Sequence, residues 1–175
     1  MVTLNTASSW AHSILSGAYV WKKQYEQASL EVEQTLALNP MHGMIYAWAA
    51  HTLSYLGRTE EAFGLVEKAL RFNPRLSPRG LLFLGHTYYL TGRSEEAIAT
   101  LKKTLNGSPA DLEAHLLLVV VYSELGREAG AQAEAAAVLK INPKWSLEVW
   151  KPRVPYKEPA TLERVFGALQ KTGLK

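Results

Sequence analysis

The 175-residue sequence contains no cysteine. Neither a disulfide framework nor a thiolate metal site can therefore contribute to its fold or its chemistry. Long apolar runs are also missing: the longest, Leu116 to Tyr122, falls far short of the roughly 20 residues with which a helix crosses a bilayer. Residues 1 to 20 lack a basic stretch followed by an apolar one, so no signal peptide is expected. A surplus of one charge is nearly absent, because 19 basic residues against 16 acidic leave a net charge of +3, too little to argue for nucleic acid. No glycine-rich phosphate loop or strand–turn–helix nucleophile elbow frames the serines and histidines. The pairs Glu60-Glu61, Glu95-Glu96 and Lys102-Lys103 read as solvated helix faces, not as acid/base machinery. These absences predict a cytoplasmic protein that is not an enzyme, holds no cofactor or metal, and has neither membrane nor nucleic acid as a partner.

What the chain does have is a period. The stretch from Leu56 to Pro74, LGRTEEAFGLVEKALRFNP, is a turn, an amphipathic helix and a proline stop. The same grammar returns from Thr91 to Pro109 and from Leu125 to Pro143, with a looser copy from Lys22 to Pro40. The closing prolines Pro40, Pro74, Pro109 and Pro143 are 34, 35 and 34 residues apart. A spacing that steady, carried by helix-type segments, is the signature of a helical repeat array.

Helix pairs are expected at about Gly43–Leu56 with Thr59–Phe72, Pro78–Thr91 with Ser94–Leu105, and Leu112–Leu125 with Glu128–Ile141. A first helix begins after the polar stretch Asn5 to Ser9, where Thr6, Ser8 or Ser9 can cap it, and turns Ala11, Ile14, Leu15, Ala18 and Tyr19 onto one face. A second runs from about Tyr25 to Leu38, after a turn that has no glycine. Gly57, Gly92 and Gly126 suit the left-handed residue that ends a helix, Thr59 is placed to cap the next one, and Ser77-Pro78 reads as a cap followed by proline at the first helical position. Aligned on the prolines, Ser16, Ala50, Gly85 and Val119 are equivalent, as are Ala28, Ala62, Ala97 and Ala131. Small side chains at these places let paired helices approach, with Leu15, Leu84, Leu118, Tyr19 and Tyr88 filling the space beside them.

These copies resemble tetratricopeptide repeats, whose 34-residue pattern has a small residue at the eighth place, an aromatic at the eleventh, alanine at the twentieth and proline at the thirty-second. The resemblance implies an all-α, right-handed superhelical solenoid of about four helix-turn-helix repeats with a C-terminal capping helix. Residues 1–145 would hold the repeats, at about 9–42, 43–76, 78–111 and 112–145, and residues 146–175 an extension. Leu53, Val119, Thr35, Thr104 and Val138 depart from the pattern.

After Pro143 the period breaks. Ser146 is placed to cap a short turn through Trp150, the proline-punctuated stretch Lys151 to Pro159 follows, and a last helix from Pro159 to about Thr172 sets Leu162, Val165, Phe166 and Leu169 on one face. A solenoid leaves its last apolar face open, so a closing helix is what its stability asks for, with partner docking as the alternative task. The stretch PYKEPATLERVFGALQKTGLK resembles the terminal repeat modules attached to bacterial class III adenylate or guanylate cyclases and related signalling regulators. That likeness implies a sensory or interaction module without the cyclase.

In such arrays the first helices line a concave groove. Carried over by register, the resemblance assigns to it Trp10, Trp21, Met44, His51, Tyr55, Arg79, His86, Tyr89 and Glu113, among others. Trp10, Trp21 and Tyr55 read equally as packing along the superhelix. The carboxylate-clamp places of the chaperone-tail-binding subtype hold Ser13, Gly17, Trp48, Arg79 and Phe83, and only Arg79 suits that role. His51 and His86 are equivalent, but two imidazoles without a third ligand make a poor metal site. The expected function is a protein-interaction scaffold for a peptide or partner segment in bacterial signalling or complex assembly, with self-association left open. The alternatives are a small-molecule sensory module in the same groove and, third, a nucleic-acid-binding helical repeat, against which the alternating charges speak.

Overall fold

A computed structural model describes the backbone of residues 2–174 and the side chains of residues 9–174. Ten α-helices follow one another among these residues: α1 (Val2–Trp21), α2 (Tyr25–Leu38), α3 (Gly43–Tyr55), α4 (Thr59–Phe72), α5 (Pro78–Leu90), α6 (Ser94–Gly107), α7 (Leu112–Glu124), α8 (Glu128–Ile141), α9 (Leu147–Trp150) and α10 (Pro159–Lys171). A 3-10 turn at Lys151–Arg153 separates the last two, and the described residues contain no strand. None of these helices is long and apolar enough to cross a membrane.

Each odd-numbered helix from α1 to α7 packs on the helix that follows it, and α1, α3 and α5 each also touch the next odd helix, so α1, α3, α5 and α7 form a continuous inner layer. Helices α2, α4, α6 and α8 make the outer layer. The result is a superhelical solenoid, as the period predicts.

One hinge serves all four pairs. The residue after the left-handed position donates its N–H to a carbonyl five residues back: Gln24 to Tyr19, Arg58 to Leu53, Arg93 to Tyr88 and Arg127 to Tyr122, at 2.9, 3.0, 2.9 and 2.9 Å. Gly57, Gly92 and Gly126 supply the positive φ at 77°, 77° and 69°, and in the first pair Lys23 adopts 58° without being glycine. The hydrogen-bonded closure outweighs the steric cost of a side chain there, about 1–2 kcal/mol.

The eight small residues aligned on the prolines are all buried, and a Cβ on Gly85 would stand 2.7 Å from Leu101 Cδ2. Three expectations fail nearby. Ile14 and Leu15 are 59% and 42% exposed, while Ser9, Ser13, Ser16 and Val20 form the buried side of α1. The hydroxyls can be buried because they are paired: Ser13 Oγ donates to the Ser9 carbonyl at 3.0 Å, Ser16 Oγ to the Ser13 carbonyl at 2.7 Å, and Ser16 Oγ meets Thr52 Oγ1 of α3 at 3.3 Å. Second, α1 is already helical from Val2, so Asn5 to Ser9 lies within the helix and not ahead of it; the side chains of Thr6 and Ser8 are outside the described residues. Third, Thr59 is the first helical residue, not a cap, because Arg58 occupies the cap position without a side-chain bond to the backbone, as Arg93 does before α6. True side-chain caps stand at Ser77, accepting from the Gly80 N–H, and at Asp111, accepting from the Ala114 N–H at 3.0 Å.

The C-terminal region folds back onto the inner layer. Helix α10 packs on α7 through a face that buries Val165, Phe166, Ala168 and Leu169, with Leu162 half-buried. Phe166 meets Trp150 edge-on at 5.7 Å, and Trp150 lies 6.0 Å from Trp145. The stretch between α9 and α10, a strap of residues 151–158, runs much farther. It buries Val154, Pro155 and Tyr156 and reaches the end of α3, where the Lys157 N–H donates to the Tyr55 carbonyl at 2.9 Å.

Candidate functional site

Helices α1, α3, α5 and α7 present one face of each to the inside of the superhelix. Five of the nine groove residues expected from register, Trp21, His51, Tyr55, Arg79 and Glu113, line one cavity of about 350 Å³ on that face. Gly17, Val20, Trp48, Thr52 and Phe83 complete its wall. Gly17 is useful here because it has no side chain: a Cβ would already touch the Trp48 indole at 3.5 Å.

The cavity is walled by rings. Trp48 meets Phe83 edge-on at 5.4 Å, His51 stacks on Phe83 at 4.3 Å and meets Tyr55 edge-on at 4.9 Å, and Trp21 lies 6.3 Å from Tyr55. Trp21 is 52% exposed, an uncommon state for so large an apolar surface. Charge enters at one edge. The Glu113 carboxylate accepts a hydrogen bond from the Tyr55 hydroxyl at 3.4 Å and lies 3.8 Å from both His51 Nε2 and Arg79 Nη1. Burial pushes the Glu113 carboxyl up, but His51, Arg79 and the Tyr55 hydroxyl together outweigh it and hold the group below its ordinary value, ionised. His51 Nε2 is buried and has no hydrogen-bond partner among the described residues.

The other four residues are placed differently. Trp10 stands at the far end of the wall against His42, with ring centroids 5.4 Å apart, and Met44 points toward Gly80 at the start of α5. His86 and Tyr89 are on the inner layer but under the C-terminal region, with 0% and 2% exposure. Tyr156 of the strap covers His86: its hydroxyl shares a hydrogen bond with His86 Nε2 at 2.9 Å, and its ring packs 5.1 Å from that of Tyr55. Burial first, and His51 second, holds the His86 imidazole well below its usual value, so it is neutral. The rings of His51 and His86 lie 4.9 Å apart, and the described residues contain no cluster of three metal-ligating side chains around them. Tyr89 donates to Glu124 at 2.8 Å, and Arg164 of α10 lies over the Tyr89 ring at 4.9 Å and 3.6 Å from the same carboxylate.

Five of the nine register positions thus meet at one cavity, and two features of the inner wall lie outside the nine. Trp48 and Phe83 occupy clamp places of a subtype that the chain matches only at Arg79, yet they line the cavity as apolar surface. The strap had no signal of its own, because its contacts reach back across the chain: Tyr156 to His86 spans 70 residues and the bond from the Tyr25 hydroxyl to the Tyr156 carbonyl spans 131.

Two tetratricopeptide repeat family models match, over residues 95–151 and 78–109. A search of curated protein sequences finds no match. Among solved structures, the chain is similar to Pseudomonas aeruginosa PilF, with a TM-score of 0.68 at 20% identity over 98% of this chain and 79% of that one. It is also similar to YrrB, described as a TPR protein with an unusual peptide-binding site, with a TM-score of 0.59 at 19% identity over 92% and 82% of the two chains. A chain of the Naa15/Naa10 structure bound to HypK-THB gives 0.60 at 25% identity, covering 94% of this chain but 24% of that larger one. The fold is that of a tetratricopeptide-repeat solenoid, and residues 78–151 carry the repeat in sequence as well as in shape.

Proposed function

We propose that this chain is a non-catalytic interaction scaffold that holds a segment of a partner protein along its inner wall, with the cavity between α1, α3 and α5 as the anchor point. The supporting observation is the convergence of Trp21, Trp48, His51, Phe83, Arg79 and Glu113 on one open hollow. Aromatic side chains and arginine in a concave, partly desolvated setting are the groups that carry most of the energy at protein interfaces. A volume of about 350 Å³ takes one large side chain with its flanking backbone. Arg79, with its side chain 59% exposed and only loosely paired to Glu113, is free to meet a carboxylate on the partner. The resemblance of the tail to cyclase-attached modules is the ground for proposing bacterial signalling or complex assembly as its setting.

The test is selection of random displayed peptides on the wild-type protein, followed by affinity measurement on Arg79→Glu and Trp48→Ala. Each substitution is expected to weaken the selected peptides by about tenfold or more while far-ultraviolet circular dichroism stays unchanged. Equal affinities for wild type and both variants would remove the cavity from the reading. A second reading, an apolar small molecule, is favoured by an adjoining hollow of about 170 Å³ lined by Leu116, Leu117, Val120, Trp150, Val154 and Val165. Quenching of tryptophan emission by a metabolite at a single saturable site would select it.

A further inference from the structure

The strap is held on the inner wall as a bound peptide is held. Its backbone is extended where it enters and leaves, with Val154 at φ −68°, ψ 128° and Glu158 at φ −86°, ψ 117°. Its main chain completes a helix end: Tyr55 is the last residue of α3, so its carbonyl has no partner within the helix, and the Lys157 N–H supplies one at 2.9 Å. Its central side chain fills a slot in the wall, the Tyr156 ring lying beside Tyr55 and its hydroxyl on the buried His86. Lys157 Nζ then lies 5.9 Å from the Tyr25 ring, and the Glu158 carboxylate occupies the space above Gly57.

Helix α10 has anchors of its own outside this seat, Phe166 on Trp150 and Arg164 on Tyr89 and Glu124. The seat also continues into the open cavity, because Trp21, Tyr55 and Glu113 border both the open hollow and the smaller one that Val154 and Tyr156 close.

We infer that the seat of Val154–Lys157 is an exchangeable recognition site for an extended partner segment built on Pro-Tyr followed by a basic residue, with the chain's own strap as its resident occupant. The inference rests on the interaction role proposed above and names the chemistry of the partner. A segment of this kind gives the Tyr55 carbonyl its N–H, His86 its hydroxyl and the Tyr25 face its cation, and it replaces the strap contact for contact. In the resting molecule the strap competes at very high effective concentration, so the apparent affinity for an incoming segment is lowered by the small fraction of molecules whose seat is open.

The experiment uses a labelled synthetic peptide reproducing residues 153–159 and fluorescence anisotropy. Wild type is expected to bind it weakly, and Tyr156→Ala, which empties the slot, at least about tenfold more tightly. The same peptide with its tyrosine replaced by alanine is expected to lose that gain. Lys157→Pro, which removes the strap's N–H without altering the wall, gives the same result through a different contact. Should either variant fold poorly, hydrogen exchange on the wild type answers the question: excess peptide is expected to speed exchange of the Lys157 amide. Anisotropy that is no higher for the two folded variants than for wild type, or a Lys157 amide indifferent to peptide, overturns the inference. Either result leaves the open-cavity reading standing if Arg79→Glu still weakens selected peptides, so the two failures are separable.

Discussion

At Gly85 the paired helices α5 and α6 come so close that a methyl group has no room except by moving Leu101. Gly85→Ala is therefore expected to lose about 1–3 kcal/mol in urea unfolding despite alanine's better helix propensity, because overpacking in a dense core outweighs the propensity gain. A neutral or stabilising result would show that Leu101 has a second rotamer to take. His86 makes a different kind of prediction. It is buried, neutral and held below its ordinary value, whereas in the unfolded chain it takes up a proton near pH 6.5. As pH falls below that value the unfolded state binds the proton and the folded state does not, so stability declines by up to about 1.4 kcal/mol per pH unit until the folded-state value is passed. The urea midpoint of His86→Gln is expected to fall less between about pH 7.5 and pH 5 than that of wild type; Glu113, held ionised, titrates below this window. At this scale the sequence is legible where size decides, as at Ser16, Ala28, Ala62, Ala97 and Ala131, and misleads where Ile14 and Leu15 suggest the inward face of α1. Ser13 and Ser16 face inward in α1 because each hydroxyl bonds a carbonyl of its own helix, while Ile14 and Leu15 face out.

Elements were read from proline and glycine, and the helix ends followed closely because those residues act on the backbone alone. The first hinge shows that the closure, not the glycine, is the common feature, since Lys23 takes the left-handed position and the bond from Gln24 to Tyr19 still forms. Capping was less legible. Thr59 is a capping residue type but lies inside its helix, whereas Asp111 sits one residue before its own, with extended backbone and its carboxylate on the Ala114 N–H. Asp111→Ala and Ser77→Ala are expected to cost about 0.5–2 kcal/mol each in thermal or urea unfolding, and Thr59→Ala close to nothing. Equal losses at Thr59 and Asp111 would contradict the assigned caps. The arginines that follow the hinge glycines serve elsewhere, Arg58 on Glu61 at 2.8 Å and on Ser29 at 2.5 Å, Arg93 over the Phe63 ring at 3.9 Å, and Arg127 on Glu95 of the preceding pair. Exposed pairs of this sort add little stability.

Over the whole molecule, a helical array is expected to behave as a row of neighbours in which each pair can melt with little effect on distant ones. The strap changes that expectation, because Lys157 and Tyr156 join α10 to α3 and α5. Equilibrium unfolding followed at a probe in α2 and at a second in α8 is therefore expected to give one coincident transition in wild type and two separated ones in Tyr156→Ala. Coincident curves in both proteins would show that the contacts between adjacent pairs alone enforce cooperativity. The period of 34 residues could announce the array but not this tie, since a tie between distant pairs leaves no spacing to detect. It also sets an order of events. A chain emerging from the ribosome finishes α3 and α5 long before residues 154–157 exist, so during synthesis the Tyr55 carbonyl and the His86 ring face an unclaimed slot, and any suitable segment nearby meets a nascent protein whose own claimant has yet to be made.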